Sequence, residues 1–270
     1  MTIRSAPVKT DLVLDPRGAD VGEMVAAARA ADTGSWDTVW TYDHFSGLIS
    51  AAAWSRDPFV VLGAIASATD RVHLGVLVAN VVNRHPAQLA CAVNSLQSLA
   101  PGRVRCGVGA GSARGGKFAS EHHAIRRPLA PPAVRRAVLA ESIAALRALW
   151  HGDEFDGQHV HVDASMAVVD GAPIPQVIVG GSGIATIQVA CTHADGINLL
   201  PCDDLAGRIA MARASRPDGF DIGVFDRLDT SHPLGGDPEP LSELGVDRRT
   251  LWVTAPYPVD AIGRIAEALG

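Results

Sequence analysis

The sequence of 270 residues contains little charge and almost no lysine, and these absences exclude several kinds of partner. Only Lys9 and Lys117 are lysines, so arginine carries nearly all of the positive charge. The formal net charge of −6 leaves no basic surface of the kind that binds nucleic acid or an anionic membrane. Because lysine is so scarce, no cluster of lysines is present to hold a phosphorylated substrate.

The sequence also lacks the patterns of disulfide-rich, secreted and membrane-spanning proteins. The cysteines are Cys91, Cys106, Cys191 and Cys202. They lie in or beside apolar segments without a Cys-x-x-Cys pair, which predicts reduced, buried thiols. Residues 1–9 lack an apolar core of signal-peptide length, and no apolar run approaches the ~18 residues of a membrane span. We therefore expect a cytoplasmic protein with no membrane partner.

Hydrophobic runs of strand length alternate with helical periodicities, which is the pattern of repeated βα units around a parallel sheet. Strands are predicted near residues 10–14, 37–43, 71–79, 104–109, 175–180, 196–200, 220–225 and 250–254. Helices are predicted near residues 20–34, 57–68, 86–99, 133–150, 183–194, 204–215 and 258–269, with a short one near 239–244. Eight such units in one α/β domain, residues 1–270, favour a (β/α)8 TIM barrel, with a doubly wound sheet as the alternative.

Three of the predicted strands end in reactive or glycine-rich turns, within residues 39–45, 104–112 and 177–183. Because the carboxyl ends of parallel strands meet at one rim, a single cofactor is able to contact all three turns. Two connections, 45–57 and 111–132, are too long for simple turns, and long loops above a rigid barrel usually cover or shape a site. The sequence therefore predicts one site at this rim.

Each of the three turns suggests its own chemistry. His44 ends the second strand beside Asp43, and an imidazole is able to donate to a cofactor ring or to shuttle a proton. Alternating glycines within 107–111 indicate the close approach of a ring or a backbone, or else a plain tight turn. The segment 180–183 opens a helix with free backbone amides, which predicts an anion site suited to a cofactor phosphate. A turn without function is the alternative, and the position of Asp203 keeps a Rossmann dinucleotide site open.

Side chains in the two long loops complete the predicted site. Trp54, in the loop after the second strand, is predicted to form a wall of the substrate pocket. Glu121 and His122 lie in the loop after the fourth strand, which is long enough to reach the site. The remaining histidine pairs have no carboxylates at ligand spacing, so no metal site is expected.

These segments together resemble the luciferase-like flavin and deazaflavin oxidoreductases, the bacterial luciferase superfamily, and particularly the branch that uses coenzyme F420. The matching segments are WDTVW at 36–40, DHF at 43–45, ATDRVHLG at 68–75, RHPAQLA at 84–90, LQSL at 96–99, GR at 102–103, GVGAG at 107–111, LRALW at 146–150, GGSG at 180–183 and ADG at 194–196. Their joint order spans residues 20 to 200. Beyond that the match thins, although residues 244–253 still look like the final barrel strand of the family.

The resemblance implies a fold and a cofactor. In the similar deazaflavin enzymes a histidine at the position of His44 contacts the cofactor ring, and the Asp-His-Phe form favours F420 over flavin mononucleotide (FMN). Similar enzymes also have a non-prolyl cis peptide where this chain has Leu77 and Val78. Ser112 stands where similar sugar-phosphate dehydrogenases have a catalytic glutamate, so that substrate class is not expected. Members of the family usually pair, which implies a homodimer.

We therefore predict an F420-dependent dehydrogenase or reductase that transfers a hydride between the deazaflavin and a small organic substrate, with His44 as the catalytic residue. The alternatives are an FMN-dependent monooxygenase supplied with reduced flavin, and a non-catalytic flavin-binding protein. The predicted cofactor-binding residues are Asp43, His44, Leu77, Val78, Asn80, Gly109, Ala110, Gly111, Ser112, Gly180, Gly181, Ser182 and Gly183. The candidates for a basic channel that holds the polyglutamate tail are Arg114, Arg126 and Arg127.

Overall fold

Eight parallel strands close into a barrel in a computed structural model that describes residues 7–112, 115–168, 171–216 and 218–270. The barrel strands, in spatial order, are β1 (Lys9–Leu14), β2 (Thr38–Thr41), β3 (His73–Asn80), β4 (Val104–Gly109), β7 (Gln176–Gly180), β8 (Gly196–Leu199), β9 (Asp221–Arg227) and β10 (Arg248–Val253). Strand β10 pairs with β1 and closes the barrel. The (β/α)8 fold is confirmed, and the doubly wound alternative, including a Rossmann site at Asp203, is wrong because the sheet has no open edges.

Most of the helices cover the outside of the barrel, and local sequence explains where several begin and end. They are α1 (Val21–Asp32), α2 (Pro58–Ala66), α3 (Pro86–Leu99), α4 (Ser120–Ala124), α5 (Pro132–His151), α6 (Ile184–His193), α7 (Leu205–Ser215), α8 (Glu239–Glu243) and α9 (Val259–Ala268). Asp20 and Asp57 each accept two backbone hydrogen bonds from the first turn of α1 and α2. Helix α5 ends at Gly152, whose φ of 91° lies in the left-handed region that glycine tolerates.

The apolar core has two parts, one on each side of the sheet. The larger part lies between the strands and the helices and includes the buried Trp36. The smaller part fills the inside of the barrel with Val13, Trp40, Leu77 and Ile178. Trp36 and Trp40 therefore belong to the core, as predicted. The inner cluster forms the floor on which the site at the carboxyl end is built.

Some predictions about the remaining elements need correction. Cys106 and Cys191 are buried, but Cys91 and Cys202 are exposed, so the prediction of four buried thiols is wrong. An antiparallel hairpin of β5 (Phe155–Asp156) and β6 (His161–Val162) was not predicted, because strands of two residues carry no periodic signal. Within the described ranges, no helix has both the length and the apolar character needed to cross a membrane.

Candidate active site

The carboxyl ends of all eight barrel strands surround one cavity of about 600 Å³. This volume lies within the roughly 300–1,000 Å³ of pockets that bind small ligands and cofactors. The predicted site residues that line it are Asp43, His44, Leu77, Val78, Asn80, Gly109, Ala110, Gly111, Ser112, Glu121, Gly180 and Gly181. The predicted residues outside the lining are Trp54, His122, Ser182 and Gly183. The structure thus brings the three turns together in one place.

His44 is held in the cavity wall by contacts on several sides. Its Nδ1 atom lies 3.1 Å from Oε2 of Glu121. The Phe118 ring stacks on the imidazole at a centroid distance of 5.7 Å and an interplanar angle of 17°, and the Tyr42 ring meets it edge-on. Because Nδ1 is engaged by Glu121, Nε2 is the ring nitrogen left for a ligand.

Glu121 reaches His44 from the loop after β4. The short helix α4 carries it, and its side chain is only 3% exposed. Its second oxygen, Oε1, accepts a hydrogen bond of 3.0 Å from the backbone N–H of Ser46. Both carboxylate oxygens are thus bound by the loop that follows β2, so the carboxylate joins the two long connections.

Asp43 lines the cavity, yet its carboxylate is engaged by neighbouring strand ends. The Arg84 guanidinium donates to both carboxylate oxygens at 2.9–3.0 Å. The backbone N–H of Asn80 donates to Oδ2 at 3.1 Å. Arg84 also reaches Asp57, the residue that caps α2. Asp43 therefore fixes the end of β2 against the end of β3 and α2.

The floor of the cavity contains a break in β3, where the register against β4 shifts between Val76 and Ala79. The peptide bond between Leu77 and Val78 is cis. A Cβ atom added at Gly109 would lie 2.5 Å from Cγ2 of Val78, and one added at Gly180 would lie 2.7 Å from Cγ1. These two glycines therefore leave room for the Val78 side chain, which projects between β4 and β7.

Asn80 and His122 form a pair behind the rim. Oδ1 of Asn80 accepts a hydrogen bond from the Val82 N–H at 3.0 Å, and its Nδ2 lies 3.3 Å from Nε2 of His122. His122 is almost fully buried, and burial, assisted by Arg127, lowers the pKa of its imidazole. His122 thus supports Asn80 from outside the cavity, whereas the sequence predicted that it would contact the substrate.

The turn after β7 presents the start of α6 beside the cavity. Gly183 is the N-cap of α6 and has no side chain to accept from the first turn of this helix, unlike Asp20 and Asp57 at the starts of α1 and α2. The Ser182 hydroxyl is turned toward β8, where it bonds to Leu200, while the Ser182 carbonyl accepts from Arg208 at 3.2 Å. An uncapped helix start with a guanidinium nearby is a favourable environment for an anion.

An aromatic wall, which was not predicted from the sequence, closes the opposite side of the cavity. Phe225 and Trp252 stack with an interplanar angle of 8°, and Tyr42 packs against Phe225 at a centroid distance of 6.2 Å. Burial, reinforced by Asp15, raises the pKa of the Tyr42 hydroxyl. These residues end β2, β9 and β10, so the barrel topology was the signal that would have identified them.

The remaining predicted residues fall into different surroundings. Trp54 is about half exposed, and its indole N–H lies 3.4 Å from the Ala19 carbonyl, away from the cavity lining. Arg126 and Arg127 are exposed just beyond α4. Arg114, the third candidate for a tail-binding channel, lies outside the described residues. Among the described residues, no group of three histidine, cysteine or acidic side chains is arranged to hold a metal ion.

Comparison with known proteins gives this geometry a context. The sequence profile of the family described as luciferase-like monooxygenase matches residues 5–225. The chain is 32% identical over 251 residues to an F420-dependent glucose-6-phosphate dehydrogenase of Gordonia bronchialis, covering 88% of this chain and 69% of the relative. It is 30% identical over 176 residues to an F420-dependent hydroxymycolic acid dehydrogenase of Mycobacterium tuberculosis, covering 64% and 47%, so it spans about half of that relative.

Solved structures with the same fold extend the comparison. An F420-dependent secondary alcohol dehydrogenase in complex with an F420–acetone adduct superposes with a TM-score of 0.81 at 16% identity, covering 97% of this chain and 98% of the other. The monooxygenase RslO1 of Streptomyces bottropensis superposes with a TM-score of 0.72 at 19% identity, covering 96% of each chain. At these identities the likeness extends to the fold alone.

Proposed function

The chain belongs to the luciferase-like monooxygenase family, and from this premise we propose that it is an F420-dependent oxidoreductase acting on a small uncharged organic substrate. One observation carries the proposal: a single cavity is bordered by an engaged histidine on β2 and by an uncapped helix start after β7. The deazaflavin, when bound, supplies the hydride chemistry, and the protein supplies binding, orientation and proton handling.

The residues around the cavity fit a tricyclic cofactor that carries a phosphate. Gly180 and Gly181 keep the rim beside α6 free of side chains, and the first backbone N–H groups of α6 suit a phosphate group. The guanidinium of Arg208, which also lies 3.5 Å from a carboxylate oxygen of Asp204, is next to this turn. Val78, which projects from the floor, is placed to support a flat ring, with Asn80 and Ala110 beside it.

His44 is the proton-handling residue in this proposal. It lines the cavity, its ring plane is fixed by Phe118, and its Nδ1 atom is engaged by Glu121. The Nε2 atom is then available to accept a proton from a substrate hydroxyl or to return one to a carbonyl. Asp43 orients the strand end that carries His44, through its bonds to Arg84 and Asn80.

The charges in the cavity argue for an uncharged substrate. Arg17 is the only arginine or lysine among the described residues that line the cavity. Asp15 already neutralises it, because Nε and Nη2 of Arg17 donate to the two carboxylate oxygens at 2.8 and 2.6 Å. A phosphorylated substrate would therefore meet a cation whose charge is already balanced by Asp15, whereas the aromatic wall of Tyr42, Phe225 and Trp252 offers an apolar surface.

Equilibrium binding of F420 and of FMN, followed by fluorescence, tests the cofactor assignment. We expect F420 to bind with a Kd in the micromolar range or below and FMN to bind at least about tenfold more weakly. His44→Ala should retain F420 binding but lose F420 reduction with a panel of uncharged alcohols. His123→Ala, which changes an exposed histidine of the neighbouring loop, serves as the control. Selective binding of FMN would overturn the assignment and favour a monooxygenase.

A further inference from the structure

The contact between His44 and Glu121 restricts which ring nitrogen of the histidine carries its proton. The two oxygens of the Glu121 carboxylate have different partners. Oε1 lies 3.0 Å from the Ser46 N–H, which is a donor only. Oε2 lies 3.1 Å from Nδ1 of His44. A carboxylate only accepts hydrogen bonds, so a neutral His44 in this arrangement has its proton on Nδ1 and a bare lone pair on Nε2.

We propose that Glu121 is a positioning residue that sets the tautomer of His44, so that the cavity faces an imidazole whose Nε2 accepts a proton. This inference rests on the proposed function for its chemical meaning, but the tautomer itself is a property of the protein without cofactor or substrate. It assigns a role to an acidic residue of the loop after β4 for which the sequence predicted only a place in the substrate pocket. Although Glu121 lines the cavity, it acts through His44, because His44 and Ser46 already engage its two carboxylate oxygens.

The surroundings of Glu121 suit this role. Its side chain is 3% exposed, whereas that of His44 is 20% exposed, so the carboxylate is shielded from water while the imidazole faces the cavity. Phe118, three residues before Glu121 on the same loop segment, stacks on the imidazole and limits its rotation. The same segment therefore fixes both the ring plane and the proton position of His44.

The proton step follows from this tautomer. The O–H bond of a substrate alcohol breaks, and an N–H bond forms at Nε2 of His44. The resulting imidazolium is balanced by the Glu121 carboxylate, which now pairs with a full positive charge. The C–H bond at the carbon that bears this oxygen also breaks; the oxidised deazaflavin, when bound, would supply the hydride acceptor, so that the substrate would become a carbonyl compound. In the opposite direction the imidazolium donates its proton to the carbonyl oxygen.

The substitution Glu121→Gln gives a test with a spectroscopic readout. If the glutamine oxygen keeps the bond to the Ser46 N–H, the glutamine NH₂ group faces Nδ1 of His44 and donates to it. Nδ1 must then be the bare nitrogen, so the proton moves to Nε2. We expect the His44 tautomer to switch from Nδ1–H in the wild type to Nε2–H in this variant.

The measurement is the pair of imidazole ¹⁵N chemical shifts of His44 in the cofactor-free protein at about pH 9, at which free imidazole side chains are neutral. His44→Gln identifies the signals by their loss. Glu141→Gln is the matched control, because the Glu141 carboxylate likewise accepts backbone hydrogen bonds, in its case from His159 and Val160, but it lies on α5, away from His44 in the fold. This control should leave the His44 tautomer unchanged.

The outcomes separate this inference from the proposed function. An Nε2–H tautomer in the wild type would overturn the inference, and this result does not depend on whether any variant folds. An Nδ1–H tautomer that persists in Glu121→Gln would also overturn it, since the tautomer would then be set by other groups. Failure of F420 to bind the wild type would remove the proposed function while leaving the tautomer result standing.

Discussion

The two ends of the barrel use charge in opposite ways. At the amino-terminal end, buried charges neutralise one another: Arg248 pairs with Asp11, Asp37 and Asp221 at 2.7–2.9 Å. At the carboxyl-terminal end, the charged groups hold the strand ends and loops around an open cavity. One end is therefore closed by its own side chains, and the other keeps polar atoms available for a ligand.

The closed end is an ion cluster centred on two arginines. Arg105 joins it through Asp37 at 3.2 Å and Asp221 at 3.6 Å. Burial raises the pKa of Asp11, although Arg248 counteracts this effect. Burial also acts to raise the pKa of Asp37, but the attraction of Arg248 and Arg105 outweighs it, so that this pKa lies well below its usual range. Such a cluster is stable only while each charge has its partner.

We predict the largest effect for a substitution that disrupts the ion cluster at the amino-terminal end of the barrel. Arg248→Met should lower the free energy of unfolding by about 3–5 kcal/mol, because it leaves buried carboxylates without a counter-charge. Arg147→Met removes a half-exposed ion pair with Asp195 and should cost no more than about 1 kcal/mol. Chemical denaturation measures both variants. Equal losses in the two variants would contradict the distinction between a buried cluster and a surface pair.

The pH dependence of stability is the next prediction. Folding lowers the pKa of Asp37, so the ionised carboxylate stabilises the folded protein at pH values above its unfolded pKa of about 3.9. This stabilisation is lost as the pH falls below that value toward the folded pKa. The free energy of unfolding of the wild type should thus fall by about 1–3 kcal/mol more than that of Asp37→Asn between about pH 5 and pH 2. Parallel pH curves for the two proteins would refute this explanation.

Two glycine substitutions, one at the carboxyl-terminal end and one away from it, test whether a loss of F420 binding is local to the site. Gly181 has a φ of 143° and lies at the proposed phosphate site, whereas Gly102 has a φ of 74° and no atom within 4 Å of an added Cβ. Both alanine variants should lose about 1 kcal/mol of stability through backbone strain. Only Gly181→Ala should raise the Kd for F420, by about tenfold. A similar increase in Gly102→Ala would show that the loss is not local to the site.

The smallest effect concerns Trp54, which the sequence placed in the pocket and the structure places outside its lining. Trp54→Phe should change the Kd for F420 by less than about twofold, since the indole contacts Ala19 and Arg56 instead. Trp252→Phe, a change of the same size within the aromatic wall, should impair the binding or oxidation of apolar alcohols measurably. The reverse ranking would move the substrate pocket to the loop after β2.

Much of the fold followed from the sequence because repeated periodic patterns leave few alternatives. The eight barrel strands lie where apolar runs predicted them. Strand β10 begins at Arg248, earlier than predicted, because two consecutive arginines were not recognised as buried. Their burial depends on acidic partners from distant strands, such as Asp11, which no local pattern reveals.

Site residues at strand ends could be predicted from the sequence, whereas contacts made by residues of the long loops could not. His44, Asn80 and the glycine turns follow directly from strand ends, so topology alone places them together. The pairing of His44 with Glu121 joins residues 77 positions apart through a loop with no periodic pattern. The support of Asn80 by His122 has the same origin. Such contacts require the folded arrangement of the long connections.

A crystal structure of the complex with F420 is the most direct test of the proposed cofactor site. We predict that the phosphate lies at the start of α6, beside Gly180 and Gly181, and that one face of the deazaflavin ring lies against Val78. Nε2 of His44 should face the substrate side of the same ring. Cofactor density at another place on the barrel, or an empty cavity under conditions that saturate the protein with F420, would contradict the account.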